Sequence, residues 1–370
     1  MDKYLGESVP KLGFGLMRLP QDGDRIDVPQ VSAMADLFLE SGFRYFDSSW
    51  AYPGSEEAFR EAVASRHPRE SYLFATKCPV WMARDRDAAH EMFSTSLERS
   101  GAGYFDFYLM HNLGEHRTKY FDEYGMWDFV RRQKERGLIR HIGFSFHDKA
   151  SVLDQILTAH PEVEFVQLQL NYADWENSAV ESRKCHETAR RHGKSVVVME
   201  PVKGGLLARL PQSAVDILKS LRPDMSIPSW GIRFAASLDG IITVLSGMSS
   251  LEQMRDNISY MKSFEPLGPE ELSALDKVRA ILAGFRSIPC TSCRYCVEVC
   301  PQAIPVPNIL EALNINDMYG NNETARGRYR VAIMGRSSAS DCLKCGRCEE
   351  ACPQHIEIRS HLERAVNELA

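Results

Sequence analysis

A repeated alternation of short apolar and amphipathic segments, from Lys11 to about Phe264, limits the folds open to this chain. The apolar segments have the length and composition of buried strands, and they read LGFGLMRL, RYFDSS, YLFATKC, FDFYLMHN, HIGFSFH, FVQLQLN, SVVVMEPV and ITVLSGM. The segments between them have helical periodicity, as in SLEQMRDNISYM, where Met254, Ile258 and Met261 share one face. Strict alternation pairs parallel strands through crossovers, so eight such units in about 250 residues predict a closed (β/α)8 TIM barrel.

An open doubly wound α/β sheet is the alternative architecture, but no G-x-G-x-x-G follows the first strand. The alternation ends at SFEPLGPEEL, which two prolines and a glycine interrupt. Beyond it, the segments PEELSALDKVRAILAGF, VPNILEALNINDM and ETARGRYRVAIM predict three helices and no strand. We therefore expect an α/β barrel over residues 1–264 and a small α-helical domain over residues 265–370.

The composition is that of an ordinary globular protein, with 370 residues of which 44% are hydrophobic and 25% charged. The formal net charge of -6 is spread over both signs without long blocks of one sign, so neither nucleic acid nor an anionic membrane surface is predicted as a partner. No segment has the apolar length of a signal peptide or a membrane span. These features predict a cytoplasmic protein.

Eight of the ten cysteines fall in two short runs of the C-terminal part, CTSCRYCVEVCP and CLKCGRCEEACP. Both runs have the form C-x2-C-x2-C-x3-C-P, which is the bacterial iron–sulfur pattern. In two-cluster ferredoxins the fourth cysteine of each run binds the other cluster, so we predict two [4Fe-4S] clusters with crossed ligands. The first cluster is assigned Cys290, Cys293, Cys296 and Cys352, and the second is assigned Cys342, Cys345, Cys348 and Cys300.

Zinc is the alternative metal for these runs, because it also uses C-x2-C pairs. A tetrahedral zinc site needs only two such pairs, however, and has no use for a third cysteine followed by C-P. The helical connection between the runs indicates an α-helical, ferredoxin-like domain. The other two cysteines, Cys78 and Cys185, stand alone. A disulfide framework is therefore not expected, and a reducing compartment fits this usage of cysteine.

Polar residues follow or close consecutive strands of the predicted barrel. Asp47 follows RYF, Tyr52 lies in the next loop, Lys77 closes LFATK and His111 closes FYLMH. Catalytic groups of such barrels gather at the C-terminal ends of the strands. A tyrosine hydroxyl is a poor acid at neutral pH, but a nearby ammonium lowers its pKa, a carboxylate holds the ammonium, and a neutral imidazole can orient a carbonyl oxygen. Taken singly, a strand-end histidine or lysine is more often structural; the four together predict a proton-donating site.

The stretches FDSSWAYPGSE, ATK and LMHN resemble the aldo/keto reductases, and the resemblance extends from about Lys11 to Phe264. It implies a (β/α)8 barrel, a tetrad of Asp47, Tyr52, Lys77 and His111, and NAD(P)H-dependent reduction of a small aldehyde or ketone. Hydride would go from the nicotinamide to the carbonyl carbon and the proton would come from Tyr52. With the cysteine runs added, the whole chain resembles the ferredoxin-tailed branch of this family.

The resemblance also implies a set of cofactor-binding residues. These are Ser145, Gln167, Gly204, Gly205, Leu206, Gly247, Gln253 and Asn257. Three features depart from the family: Phe146 follows Ser145 where the family has asparagine, Met199 or Glu200 replaces the aromatic residue that stacks on the nicotinamide, and Gly247 and Gln253 stand where lysine and arginine bind the 2′-phosphate. The nicotinamide site therefore matches the family pattern less well than the tetrad does.

A cubane passes one electron at a time, whereas a nicotinamide gives two as hydride, so the two need an intermediary such as a flavin. The segments KGGLL and GMSS, after strands seven and eight, offer a phosphate site for either group. Our hypothesis is that the clusters relay electrons between an external carrier and a redox centre in the barrel. Two alternatives remain: an electron-transfer or docking protein whose barrel is only a scaffold, and clusters that serve only to stabilise their domain.

Overall fold

The computed structural model describes residues 3–23, 25–178, 180–285, 288–319 and 322–370, and its first part is a closed barrel of eight parallel strands. The predicted (β/α)8 barrel is therefore confirmed, and each of the eight apolar segments forms one strand. The strands are β1 Leu12–Gly15, β2 Tyr45–Asp47, β3 Leu73–Cys78, β4 Phe105–Leu113, β5 Ile139–Phe146, β6 Phe165–Gln169, β7 Ser195–Met199 and β8 Ile241–Ser246.

Neighbouring strands pair in chain order, and β8 pairs with β1 to close the ring. The register brings the ends of the strands to one level: Gly15 pairs with Asp47, and Asp47 with Ala75. On the other side of the barrel Ser145 pairs with Gln167. Because all strands run in one direction, the residues that end them lie around one rim of the barrel.

Helices follow the strands as the crossover pattern requires. They are α1 Val28–Glu40, α2 Ser55–Phe59, α3 Arg86–Ser100, α4 Thr118–Glu123, α5 Met126–Glu135, α6 Ala150–Ala159, α7 Ser182–Arg191, α8 Gln212–Leu221, α9 Ile227–Ala236 and α10 Leu251–Met261. A π-helical turn, Arg60–Ala64, continues α2. Side chains accept hydrogen bonds from the first turns of α1, α3 and α10, where Asp27, Asp85 and Ser250 bind the backbone N–H groups of Gln30, Ala88 and Gln253.

Aromatic and aliphatic side chains fill the interior of the barrel. The rings of Phe107 and Phe165 meet edge to face at 5.3 Å, and burial of a side chain of this size contributes about 1.5–3 kcal/mol. Gly143 makes room for Phe165, because a Cβ there would lie 2.5 Å from its ring. The N-terminal segment packs against the same core through Tyr4, which belongs to the first of two short antiparallel pairs, and Leu5, which follows it. These pairs are Lys3–Tyr4 with Glu7–Ser8 and Gln21–Asp22 with Arg25–Ile26.

The contacts within the chain group it into two compact units, residues 1–201 with 229–267 and residues 202–228 with 268–370. The second unit holds α8 and a further set of helices, α11 Pro269–Ala283, α12 Tyr295–Glu298, α13 Val306–Tyr319, α14 Asn322–Ile333, α15 Arg347–Ala351 and α16 Ile358–Leu369. The three helices predicted after the barrel correspond to α11, α13 and α14. The boundary after residue 264 stays a prediction, and the grouping adds the segment 202–228 to the C-terminal helices.

The core of the second unit contains both apolar side chains and cysteines. Leu310 and Leu313 of α13 pack with Leu362 of α16, and the buried thiols of Cys296 and Cys352 belong to the same cluster of side chains.

Short 3-10 turns complete the secondary structure, at Leu16–Arg18, Arg69–Ser71, Val80–Met82, Lys203–Ala208 and Ala339–Asp341. Among the described residues, no helix has the length and apolarity needed to cross a membrane.

Candidate active site and cluster ligands

A buried ion pair lies where β2 and β3 end. Lys77 Nζ is 2.5 Å from Asp47 Oδ1 and donates a second hydrogen bond to the backbone oxygen of Ser48 at 2.6 Å. Lys77 is 1% exposed and Asp47 is 3% exposed. Burial lowers the pKa of Lys77, and the Asp47 carboxylate opposes this change. The carboxylate therefore holds an ammonium in a place where water does not solvate it.

Tyr52 and His111 complete the predicted group. Lys77 Nζ lies 5.2 Å from the centre of the Tyr52 ring, and the rings of Tyr52 and His111 meet nearly at right angles with their centres 5.9 Å apart. Tyr52 is fixed in the loop after β2, where its backbone N–H donates to the backbone oxygen of Ser49 at 2.9 Å. The structure thus brings together all four residues of the predicted tetrad.

The ring of His111 is kept neutral by its surroundings. Burial lowers the pKa of His111 well below its ordinary value, and the positive charge of Lys77 lowers it further. Trp81, from the turn after β3, lies against the same ring with the centres 5.3 Å apart. The hydroxyl of Ser49 is 3.0 Å from His111 Nδ1. A neutral imidazole can donate one hydrogen bond and accept another. It can therefore donate to the carbonyl oxygen of a substrate and orient it.

Sequence reasoning missed Ser49 and Trp81, although both stand beside predicted residues. Ser49 follows Asp47 by two positions in FDSSWAY, and Trp81 follows Lys77 by four in KCPVW. Neither carries an ionisable group, so the search for acids and bases at strand ends gave no signal for them. The turn Val80–Met82 directs the chain back after β3 and so places Trp81 beside His111.

Ser145 and Gln167 occupy paired positions on β5 and β6. Ser145 Oγ accepts a hydrogen bond of 2.7 Å from the backbone N–H of Asn112, a residue with a φ of 55° that the sequence analysis did not select. Gln167 Oε1 and Asn112 Nδ2 are buried and have no hydrogen-bond partner among the described residues. One is an acceptor and the other a donor, which together match the two ends of a carboxamide.

Gly204, Gly205 and Leu206 lie in the turn Lys203–Ala208, and both glycines have positive φ, 63° and 97°. A Cβ on Gly204 would lie 2.5 Å from the backbone oxygen of Thr291. Thr291 stands between Cys290 and Cys293 in the first cysteine run. Within the second unit, the turn predicted to hold a cofactor phosphate therefore packs directly against that cysteine run.

Replacement of Gly204 by alanine is expected to destabilise the second unit. The left-handed backbone costs a residue with a Cβ about 1–3 kcal/mol, and the clash with Thr291 adds to this cost. Gly205→Ala is the control, because its backbone also has a positive φ, 97°, and apart from the adjacent residues no atom of the described chain lies within 4 Å of its added Cβ. Thermal unfolding and iron content should both be more affected by Gly204→Ala. Equal losses in the two variants would mean that the close approach to Thr291 contributes nothing.

The predicted cofactor-binding residues at and near the start of α10 contact protein groups. Gln253 Oε1 accepts a hydrogen bond from the backbone N–H of Ser249 at 2.8 Å. The amide of Asn257 donates to Ser246 Oγ at 2.9 Å and accepts from the Tyr260 hydroxyl. A Cβ on Gly247 would lie 3.6 Å from the guanidinium of Arg18.

Arg18 also lies at this corner of the barrel, and sequence reasoning missed it because it comes from the turn after β1. Its guanidinium is 2.9 Å from the Glu200 carboxylate, and its side chain is 28% exposed. Its backbone oxygen accepts a hydrogen bond from the Ser249 hydroxyl at 2.8 Å.

The cysteines of the second predicted cluster line one pocket. Cys300 of the first run shares this pocket with three cysteines of the second run, together with Arg359 and Leu362. These three are Cys342, Cys345 and Cys348. The fourth cysteine of the first run therefore lies with the first three of the second, and the crossed assignment of cluster ligands stays a prediction.

The cysteines of the first predicted cluster surround Cys296. Burial raises the pKa of the Cys296 thiol, and the neighbouring thiols of Cys293, Cys290 and Cys352 raise it further, as does that of Cys348. Among the described residues, no three His, Cys, Asp or Glu side chains are placed to hold a metal ion. In a cubane each thiolate binds a different iron, so the sulfurs are spread around the cluster.

Fold and site together define a barrel oxidoreductase with an appended cysteine-rich helical unit, and comparison with known proteins gives the family. The model of the Aldo/keto reductase family matches residues 11–280, and that of the 4Fe-4S dicluster domain matches residues 289–357. The first match covers most of the chain. The chain therefore belongs to the aldo/keto reductase family, and its predicted classification as an oxidoreductase with an iron–sulfur domain is confirmed.

Individual relatives extend this result. An aldo-keto reductase of Mycolicibacterium vanbaalenii is 28% identical over 64% of this chain and 79% of its own length. An aldo-keto reductase of Mycolicibacterium smegmatis is 32% identical over a segment that covers 38% of this chain and 47% of that relative's length. Among solved structures, an aldo-keto reductase of Klebsiella pneumoniae in complex with NADPH has a TM-score of 0.60 at 20% identity, and the match covers 73% of this chain and 91% of that one. At this identity the likeness establishes the fold.

Proposed function

We propose that the protein reduces a small aldehyde or ketone with Tyr52 as the proton donor. The observation that carries this proposal is the buried Lys77–Asp47 pair, whose ammonium lies 5.2 Å from the Tyr52 ring. An ammonium at this distance stabilises the phenolate that Tyr52 becomes when it gives up its proton. The neutral ring of His111, edge-on to Tyr52, orients the carbonyl oxygen toward the hydroxyl.

The residues of the chain supply the proton in this reaction and stabilise the negative charge that its loss leaves. NADPH, when bound, supplies the hydride that reaches the carbonyl carbon. Tyr52 gives its proton to the carbonyl oxygen, so that one hydride and one proton convert the carbonyl to an alcohol. Lys77 stabilises the resulting phenolate until water returns a proton, and Asp47 keeps the ammonium in position. Trp81 covers one side of His111 and limits the access of water.

Gln167 and Asn112 are the residues that we propose for the nicotinamide carboxamide. Each has a buried polar atom without a partner in the described chain, and an unpaired buried group of this kind costs about 1–3 kcal/mol. A carboxamide supplies both the donor that Gln167 Oε1 lacks and the acceptor that Asn112 Nδ2 lacks. A flavin also carries ring N–H and carbonyl groups, so it is the second candidate for the same position.

We further propose that the cysteine runs hold two [4Fe-4S] clusters that exchange electrons with an external carrier. Cys345 of the second run is exposed, and Leu343 beside it is 62% exposed. A cluster at this position would lie close enough to the surface for a carrier to reach it. Electrons pass from a cubane one at a time, so their use in carbonyl reduction requires a flavin or an equivalent centre.

The test is an anaerobic visible spectrum recorded while NADPH and then a small aldehyde are added. Oxidation of NADPH that depends on the aldehyde is expected, with alcohol as the product. Bleaching of the iron–sulfur band by NADPH would support the relay, and the starting spectrum should then contain a flavin. A band that only dithionite bleaches would overturn the coupling of clusters and nicotinamide. Absence of alcohol with a range of aldehydes and ketones would overturn the proposed reductase activity.

Gln167→Leu is expected to raise the Kd for NADPH about tenfold, because one hydrogen bond to the carboxamide is lost. The matched control is Gln133→Leu, since Gln133 is also largely buried, at 7%, but lies on α5. Fluorescence titration measures the affinity without turnover. Equal affinity of Gln167→Leu and the unmodified protein would argue against the proposed carboxamide site.

A further inference from the structure

The hydroxyl of Ser49 lies at the meeting point of three polar groups in the active site. Ser49 is completely buried. Its Oγ is 3.0 Å from His111 Nδ1, 3.4 Å from the backbone oxygen of Lys77 and 3.2 Å from the backbone nitrogen of Ala51. A hydroxyl has one proton to donate and two lone pairs that accept. The geometry therefore decides where its single proton goes.

Two of the three contacts limit the direction in which the Ser49 hydroxyl can donate its proton. The backbone N–H of Ala51 is a donor, so Ser49 Oγ must be its acceptor. The backbone oxygen of Lys77 already accepts a hydrogen bond of 3.1 Å from the N–H of Trp50, and at 3.4 Å it is the more distant acceptor for the hydroxyl. His111 Nδ1 is the nearer acceptor by 0.4 Å. The Ser49 proton is thus directed to His111.

We infer that Ser49 is a positioning residue that holds the neutral ring of His111 in the tautomer with its proton on Nε2. When Nδ1 accepts the hydrogen bond from Ser49, the only ring proton of a neutral imidazole is on Nε2. This nitrogen points away from Ser49 and can donate to a carbonyl oxygen. The other tautomer would present a lone pair at Nε2, which repels that oxygen. The catalytic consequence rests on the proposed carbonyl reduction, whereas the tautomer itself does not.

The neutral state that this role requires is favoured by the same surroundings. Burial lowers the pKa of His111 well below its ordinary value, and Lys77, His147 and Arg117 add positive charge nearby. A protonated ring would carry protons on both nitrogens and would turn Nδ1 into a donor facing Ser49. The Ser49 hydroxyl then would have to give its proton to the more distant oxygen of Lys77.

The first test reads the tautomer directly in the intact protein. The chain has 11 histidines, so 15N-histidine labelling is combined with His111→Gln to identify the signals of His111. The expected result is an unprotonated Nδ1 and a protonated Nε2, and loss of this preference in Ser49→Ala. A protonated Nδ1 in the unmodified protein, or an unchanged tautomer in Ser49→Ala, would overturn the inference even if the reductase activity is present.

The second test is kinetic and uses a double-mutant cycle. Ser49→Ala should lower kcat for carbonyl reduction about 10- to 100-fold, and Ser49→Thr, which keeps the hydroxyl, should recover most of it. In a His111→Ala background, Ser49→Ala should have almost no further effect. Ser100→Ala is the matched control, because Ser100 is also a buried serine, donates to a backbone oxygen and accepts from a backbone N–H two residues later.

Losses from Ser49→Ala that are equal in the presence and absence of His111 would overturn the inference, since they would show that Ser49 acts on the structure in general. If the unmodified protein reduces no carbonyl compound, the proposed function fails, and the labelling experiment still decides the tautomer. The two proposals therefore fail by different observations.

Discussion

Tyr52→Phe is expected to lower kcat for carbonyl reduction about 10²- to 10⁴-fold while the iron–sulfur absorption stays unchanged. The substitution removes only the hydroxyl that gives the proton. The ring, its 5.9 Å contact with His111 and its 5.2 Å distance from Lys77 Nζ are kept. Steady-state kinetics with a small aldehyde and NADPH measures the loss. The binding of NADPH should change little, because the nicotinamide contacts are proposed for other residues.

Tyr104→Phe is the control for this variant, since Tyr104 has its hydroxyl hydrogen bonded to Arg140 at the surface and should lose almost no activity. If Tyr52→Phe keeps its reductase activity, another group donates the proton. If neither the unmodified protein nor the variant reduces carbonyl compounds but both pass electrons to an acceptor at equal rates, the barrel is a scaffold and the clusters are the functional part. The reductase hypothesis thus predicts a large loss of activity in Tyr52→Phe, and the scaffold hypothesis predicts none.

Cys300→Ala should remove the same cluster as Cys345→Ala, although the two residues belong to different runs. They line one pocket, and each supplies one of the four proposed thiolates. Either variant is expected to lose about half of the iron, because one of two [4Fe-4S] clusters is lost. The double variant should be no worse than either single one, since both remove the same group. Iron analysis and EPR of the dithionite-reduced protein measure these losses.

The reciprocal pair is Cys352→Ala with Cys293→Ala, which should remove the other cluster. Cys185→Ala is the control, because Cys185 is a buried thiol of the barrel with a pKa raised by burial to about 12. Ligands that are not crossed would give a different pattern: Cys300→Ala would then match Cys293→Ala in its EPR spectrum. Loss of all iron in every variant would mean that neither cluster is stable without the other.

The strand ends explain why so much of the site could be predicted from the sequence. A parallel barrel brings the residues that end its strands to one rim, so the positions of Asp47, Lys77 and His111 in the chain already implied that they meet. The cysteine runs carry a pattern of the same kind, because their spacing predicts two clusters with crossed ligands, and the structure places Cys300 in one pocket with three thiols of the second run. In both cases a short pattern of residue types carried the geometric information.

Other features depended on contacts between segments that are distant in the chain. Arg18 lies beside Gly247 because β1 and β8 are neighbours in the closed ring, and no local pattern in the sequence indicates this contact. The packing of Gly204 on Thr291 joins segments more than 80 residues apart. The role that we infer for Ser49 depends on the direction of one hydroxyl proton. Such contacts depend on the packing of the whole chain, which periodicity does not encode.

The unequal exposure of the cysteines has a consequence for the handling of this protein in air. Of the thiols proposed for the second cluster, Cys345 is exposed and Cys348 is 8% exposed, whereas Cys296 and Cys352 of the first are 7% and 8% exposed. Dioxygen and peroxide dissolved in water reach the outer group of thiolates first, and oxidised sulfur no longer binds iron. If the two proposed clusters are present, a preparation exposed briefly to air should lose the cluster that includes Cys345 before the one that includes Cys296.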